Sequence, residues 1–166
     1  MLAGLATVNF AEDPEKEFDG FWGACSTYGS FSYLKYGAFR LLSQLAQDCD
    51  WKVGSPWKMV HPDGRVTDAG KVLEFEPYSR YVLEWGNEFM PELKAEGVGR
   101  MTCTLESVAD AVKLTILHEM PVPDSKTIAA VSGGWPKILS SLKSLLETGS
   151  PMPDLKTAVP VKVTAG

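Results

Sequence analysis

Alternating hydrophobic and polar side chains mark a series of short segments in the middle of the chain. A period of two is typical of a strand with one face buried and the other in water. Turn residues, such as the His61-Pro62-Asp63-Gly64 run, predict short connections between the segments. We therefore expect consecutive antiparallel strands that share one packed face. The predicted strands cover 56–60, 66–76, 80–85, 100–106 and 112–120, with a loop over 86–98.

A period of three and four residues governs the last part of the chain and predicts an amphipathic helix. Ser132 is the expected N-cap, so that 125–131 form a separate or kinked lead-in, and Gly149 is the expected stop. Residues 150–166 hold prolines and no core pattern, and we expect a mobile tail there beyond a single domain over 1–149. The apolar stripe consists of Trp135, Ile138, Leu139, Leu142, Leu145 and Leu146.

The N-terminal part is less regular. Residues 2–10 are rich in small and β-branched side chains and predict a first strand, and Asp13-Pro14-Glu15 predicts a helix start. From 18 to 39 aromatic residues are interleaved with glycine and serine, which weakens a helical pattern. We expect a short helix, a loop and a second short helix over 35–47. The aromatic cluster is either a helical layer that closes one end of the fold or an apolar portal for a ligand or a partner.

The order of these elements predicts an α+β fold of the helix-grip type. A curved antiparallel sheet of about six strands has one apolar face that needs a cover. The C-terminal helix carries the only apolar stripe long enough to provide it, and two short helices lie near the N-terminus. The space between sheet and helix is then either filled by side chains or left open.

Composition narrows the class of protein. The chain has 166 residues and a net charge of −5, without clustered Lys or Arg, which argues against nucleic acid or a membrane surface as partner. The cysteines Cys25, Cys49 and Cys103 have neither the spacing of a disulfide framework nor that of a zinc site, so we expect reduced thiols in the cytoplasm. No segment reaches about 18 consecutive apolar residues, so we expect no membrane span. The apolar residues 1–10 have neither a basic region ahead of them nor a small-residue cleavage signal, so we expect no export signal.

Motifs of catalysis and of cofactor binding are missing from the sequence. Ser140-Ser141-Leu142-Lys143 has the Ser-x-x-Lys spacing of penicillin-recognising enzymes, but it lies on the predicted helix and the companion motifs are absent. No glycine loop for phosphate is present, and the chain has only 2 histidines. We therefore expect no cofactor, no metal and no assigned catalytic residue.

His118 is the polar residue of most interest, because it shares strand parity with apolar neighbours. It is a half-buried imidazole bonded to the backbone, a polar anchor that lines a pocket, or an acid or base. An enzymatic role would need a carboxylate that acts together with His118, such as Glu74 or Glu119. Glu119 follows His118 directly in the predicted strand, so its side chain is expected to point to the opposite face. Among the aromatic residues, Trp85 and Trp135 either pack the core or line a cavity. Trp51 and Trp57 are expected to shape the start of a hairpin.

A series of motifs over about 50–149 resembles one known superfamily. The segments are Asp50-Trp51-Lys52-Val53-Gly54-Ser55-Pro56-Trp57, Asp63-Gly64, Gly70-Lys71-Val72-Leu73-Glu74 with Pro77 and Arg80, Leu114-Thr115-Ile116-Leu117-His118-Glu119, and Gly133-Gly134-Trp135 with the Leu142 to Gly149 run. They resemble the SRPBCC (START/Bet v-like) superfamily and, within it, proteins related to the C-terminal domain of the activator of heat-shock-protein-90 ATPase. Residues 17–49 depart from the pattern of that group.

The resemblance implies a helix-grip fold with an interior cavity, in a superfamily whose members bind lipids, sterols or polyketides and include some cyclases. We expect a small apolar ligand held between sheet and helix. The alternatives are a chaperone-linked interaction protein, as the family name implies, and a cyclase or hydrolase that uses His118; the oligomeric state is left open. The expected ligand-binding residues are Tyr81, Leu83, Trp85, Met101, Leu105, Ile116, His118, Trp135 and Leu139.

Overall fold

The computed structural model describes residues 2–11, 46–61, 63–109, 111–148 and 152, of which 2–11 are described by their backbone. The first strand and the strands of the middle segment form where the sequence predicts them. In chain order the elements are β1 (Leu2–Ala11), β2 (Ala46–Cys49), β3 (Pro56–Val60), β4 (Val66–Glu76), β5 (Arg80–Asn87), α1 (Pro91–Lys94), β6 (Val98–Val108), β7 (Ala111–Met120) and α2 (Lys126–Thr148).

All seven described strands join one antiparallel sheet in the order β1-β7-β6-β5-β4-β3-β2. Strands β2 to β7 follow one another as neighbours, because short turns favour pairing of consecutive strands. The register shifts between Met59 and Val60 and between Val72 and Glu74 are bulges, which bend a sheet and increase its twist. The curved antiparallel sheet with a long C-terminal helix is confirmed.

Helix α2 lies across β1 and β7 and covers one side of the sheet, which we call the inner face. Trp135, Leu139 and Leu142 are buried against that face, as the apolar stripe predicts. The opposite side, the outer face, carries mostly polar side chains. The core of the described part of the chain therefore lies between the sheet and α2.

The start of α2 differs from the prediction. The helix begins at Lys126 and not after Ser132, so the separate lead-in over 125–131 was wrong. Ser125 is the cap, since its hydroxyl accepts the backbone N–H of Ile128 at 3.1 Å. A carboxylate from the β5–β6 connection, that of Glu96, accepts further N–H groups of this first turn. These partners satisfy N–H groups at the N-terminus of the helix and so favour its early start.

Two other regions differ from the sequence prediction. Ala46 and Gln47, expected at the end of a helix, belong to strand β2, where Ala46 lies opposite Val60. Pairing with β3 here overrides the local helical pattern. The expected loop over 86–98 contains the short helix α1, and its ends extend β5 and β6. The two predicted N-terminal helices fall mostly on residues 12–45, which lie outside the described part of the chain, as does the tail apart from Met152.

Candidate functional site

The nine predicted ligand-binding residues are all buried, with side chains no more than 8% exposed. Eight of them belong to one apolar cluster on the inner face, which also includes Trp57 and Val72. The ninth, His118, contacts that cluster through Trp85. The alternation in the sequence therefore identified the inner face correctly, while the ligand-binding role of these residues stays a prediction.

Three adjacent strands supply a row of these side chains. Leu83 on β5 lies opposite Met101 on β6, and Met101 lies opposite His118 on β7. Side chains directly opposite one another on antiparallel strands have Cβ atoms about 5 Å apart, so they pack side by side. The imidazole is thus set into an otherwise apolar row.

Trp85 is the centre of an aromatic group. Its ring centroid lies 4.5 Å from that of Trp57, 5.4 Å from that of His118 and 6.1 Å from that of Trp135 on α2. The position opposite Trp85 on β6 is Gly99, where a Cβ atom would overlap the carbonyl oxygen of Glu119. The glycine allows β6 and β7 to approach closely beside the large indole.

Trp57 was expected at the start of a hairpin, but it is 1% exposed and part of the core. Its indole N–H donates to the backbone carbonyl of Glu84 at 2.8 Å. The side chain reaches β5 by crossing β4 at Gly70, the residue that lies opposite it. Sequence reasoning missed this role because the flanking Gly54-Ser55-Pro56 turn dominated the local pattern.

His118 is fully buried, and neither of its ring nitrogens has a hydrogen-bond partner among the described residues. Burial lowers the pKa of His118 to about 4, because the charged imidazolium loses its hydration. The ring is therefore neutral at pH 7, with one nitrogen that donates and one that accepts. The expected bond to the backbone is absent in the described part of the chain.

A polar group that the sequence analysis missed lies next to Trp85. The carboxylate oxygen Oδ1 of Asp68 accepts the indole N–H of Trp85 at 3.0 Å and an amide N–H of Asn87 at 3.3 Å. Burial raises the pKa of the Asp68 carboxyl group, and these hydrogen bonds oppose the shift. Asp68 shares strand parity with Gly70 and Val72, which could have indicated its inward direction.

The catalytic pairs considered from the sequence do not form. Glu74 lies on the outer face, opposite Val82, and its carboxylate pairs with Arg80 at 2.9 Å and with Arg100. Glu119 alternates with His118 and points the other way along β7. Across the described ranges no group of three or more His, Cys, Asp or Glu could hold a metal ion.

The Ser-x-x-Lys motif has a structural explanation. The hydroxyl of Ser140 donates to the backbone carbonyl of Pro136 at 2.7 Å, and Lys143 pairs with Glu147 one turn further along α2. The serine and the lysine therefore each have another partner, and no nucleophile results. Among the helices described, none is long and apolar enough to cross a membrane.

Residues 36–147 match the sequence model of a family described as Activator of Hsp90 ATPase homolog 1-like protein. The chain belongs to this family. The match extends over most of the strands and α2, and it confirms the resemblance to the SRPBCC-type group noted from the motifs. No curated protein has a sequence that matches this chain.

Solved structures of similar fold agree with this assignment. The solution structure of the Aha1 dimer from Colwellia psychrerythraea is 18% identical with a TM-score of 0.63, covering 90% of this chain and 98% of that one. An Hsp90 activator from Plasmodium falciparum is 20% identical with a TM-score of 0.62, covering 91% and 99%. DynU16, a protein in the dynemicin biosynthetic locus, is 18% identical with a TM-score of 0.63, and 90% of this chain matches 48% of DynU16. At these identities the likeness concerns the fold.

Proposed function

We propose that this protein binds a small apolar or amphipathic molecule between the inner face of the sheet and α2, and that His118 bonds the polar group of that molecule. The observation that carries the proposal is the buried imidazole without a partner on either ring nitrogen among the described residues. The large majority of buried side-chain polar atoms in proteins are hydrogen-bonded. Each one that is not costs about 1–3 kcal/mol. A bound ligand with a polar group would remove part of that cost.

The surroundings of His118 suit a ligand that enters by displacing side chains. The imidazole is fully enclosed, so a ligand reaches it only when a neighbouring side chain moves. Two methionines lie near His118 on the same face of the sheet, Met101 directly across on β6 and Met120 two residues further along β7. Methionine is unbranched and flexible, and it adapts to new shapes at low cost. An open interior cavity beside these residues stays a prediction.

A titration with N-phenylnaphthylamine, an uncharged fluorescent probe, tests the proposal. We expect saturable binding of one probe per chain, with quenching of tryptophan emission because Trp85 and Trp135 lie on the binding face. Leu139→Trp should weaken binding by filling the space under α2, whereas Val108→Trp, at an exposed position, should not. Absence of saturable binding at micromolar concentrations would refute the function.

A second candidate is a chaperone partner, which the family assignment favours. The family is named after an activator of the Hsp90 ATPase, and the solved relative from Plasmodium falciparum is described as an Hsp90 activator. The rate of ATP hydrolysis by a purified Hsp90 with and without this protein tests the candidate. Unchanged turnover at a saturating concentration of the protein would dismiss it, and this result is independent of the ligand titration.

A further inference from the structure

Among the described residues, the inner face of the sheet carries no cationic side chain. None of the described Lys and Arg residues is buried, and those on β5 and β6, Arg80 and Arg100, pair with Glu74 on the outer face. The one charged side chain on the described inner face is Asp68, which is negative when ionised. Two N–H groups donate hydrogen bonds to its Oδ1, and such hydrogen bonds are strongest when the carboxylate is ionised.

This distribution of charge disfavours an anionic ligand. A buried carboxylate needs a cation or several hydrogen bonds to offset its lost hydration. His118 could supply a cation only by taking up a proton, and its burial opposes protonation. Trp85 also connects Asp68 to the site, because its N–H binds the carboxylate while its ring lies against His118.

A hydroxyl group fits the same surroundings. A neutral imidazole offers one donor and one acceptor, and a hydroxyl can complement whichever nitrogen it meets. The rest of the row is apolar: Met101 lies beside His118, Leu83 lies one strand beyond Met101, and Ile116 lies two residues before His118 on β7. An apolar skeleton with one hydroxyl would therefore leave few buried groups without a partner.

We propose that this site selects a molecule whose buried polar group is an uncharged hydroxyl, that of an alcohol or a phenol, over a carboxylate on the same skeleton. The inference rests on the proposed binding function. It names the polar group of the ligand and leaves the skeleton open.

Retinol and retinoate share one fluorescent polyene and differ in the group at its end, so they form a matched pair of probes. At pH 7.5 we expect retinol to bind at least about tenfold more tightly, the scale of a modest penalty for burying a charge. His118→Leu should weaken the binding of retinol about five- to tenfold, because the variant loses one hydrogen bond to the ligand. His118→Gln, which keeps an uncharged donor and acceptor, should retain most of the preference.

Asp68→Asn provides the second comparison, because it removes the charge and keeps the shape. Retinoate should bind more tightly to this variant while the affinity for retinol changes little. The ratio of the affinity for retinol to that for retinoate should therefore decrease. If retinoate binds as tightly as retinol to the unmodified protein while N-phenylnaphthylamine also binds, the selection for hydroxyl is wrong and the binding function stands. If none of the three probes binds, both proposals fail.

Discussion

The indole N–H of Trp57 on β3 donates to the backbone carbonyl of Glu84 on β5, two strands away, at 2.8 Å. The intervening strand β4 is crossed at Gly70, where the paired register with β5 passes from Ala69–Gly86 directly to Val72–Leu83. The side chain thus bonds a carbonyl in an interrupted part of the ladder. It also holds the ring of Trp57 against that of Trp85, so this bond positions the aromatic group of the candidate site.

Gly70→Ala should destabilise the fold, because the added Cβ atom would overlap the Glu84 carbonyl and approach the Trp57 indole nitrogen. Overpacking costs about 1–3 kcal/mol and a buried carbonyl left unbonded costs a similar amount. Urea unfolding followed by tryptophan emission measures the loss. Gly133→Ala is the matched control: no heavy atom lies within 4 Å of its Cβ position in α2, and we expect a gain of up to about 1 kcal/mol. Equal free energies of unfolding for the two variants would contradict the conclusion that the Trp57 side chain crosses β4 at Gly70.

The free energy of unfolding should depend on pH through His118. Histidine titrates near pH 6.5 in an unfolded chain, and burial lowers the pKa of His118 to about 4 in the folded one. Between these values the unfolded chain binds the extra proton, so stability is complete above about pH 6.5 and falls by roughly 3 kcal/mol as the pH drops to about 4.

His118→Leu should remove this dependence and raise stability at neutral pH, since the two buried imidazole nitrogens without a partner among the described residues are then gone. Urea midpoints at several pH values between 4 and 7.5 measure both effects. His61→Gln is the control, because His61 lies outside the core in the β3–β4 connection, and it should keep the dependence of the unmodified protein. A parallel pH dependence in the His118→Leu variant would show that another group is responsible.

Asp68 should act mainly as an acceptor for Trp85 and Asn87. Asp68→Ala leaves both N–H groups without their acceptor, which should cost about 1–3 kcal/mol. Asp68→Asn retains an oxygen acceptor at the same place and removes a buried charge. The free energy of unfolding should therefore decrease less in Asp68→Asn than in Asp68→Ala. Urea unfolding gives the energies, and near-ultraviolet circular dichroism reports the packing of Trp85. The same loss in both variants would mean that the charge, and not the acceptor, is what matters.

Glu96 should hold the start of α2 in place above pH 4.5. Its carboxylate accepts the Ser125 hydroxyl at 2.7 Å and the N–H groups of Lys126 and Thr127 at 2.7 and 3.1 Å. The Ser125 hydroxyl, with help from Thr127 and these amides, lowers the pKa of Glu96 to about 2. A lowered carboxyl pKa adds stability above the unfolded value, and this is lost as the pH falls towards 2.

Glu96→Gln should therefore lower the urea midpoint at pH 7, and its difference from the unmodified protein should shrink near pH 2. Glu92→Gln is the matched control, since this exposed glutamate lies four residues earlier in α1 and should change the midpoint little. Hydrogen exchange at Lys126 and Thr127 locates the effect. Unchanged exchange there in the Glu96→Gln variant would exclude the capping role.

The sequence predicted those parts of the site in which the apolar and polar residues repeat with one regular period along the element. Along β6 and β7 the alternation is regular, and Met101, Ile116 and His118 point inward as expected. The bulge of β4 lies between Val72 and Glu74 and does not separate Asp68 from Val72, so Asp68 was missed for another reason: a charged side chain is not part of the apolar pattern that marks a buried face. Glu96, which accepts hydrogen bonds from the first residues of α2, lies 29 residues before Ser125 in the sequence. A local sequence pattern cannot predict a contact between residues so far apart.

Strand β1 has a consequence for how the chain is made. It is synthesised before the other described strands, and its partner β7 is the last of the described strands to be made: Ala11 and Ala111 face each other across 100 positions. Pairing of distant segments is slow because loop closure costs entropy, whereas β2 to β7 can join through local hairpins. We expect β1 to stay without this strand partner until β7 has been synthesised and to join the sheet after the described hairpins have formed, so that the newly made chain depends on other contacts to keep this segment from aggregating.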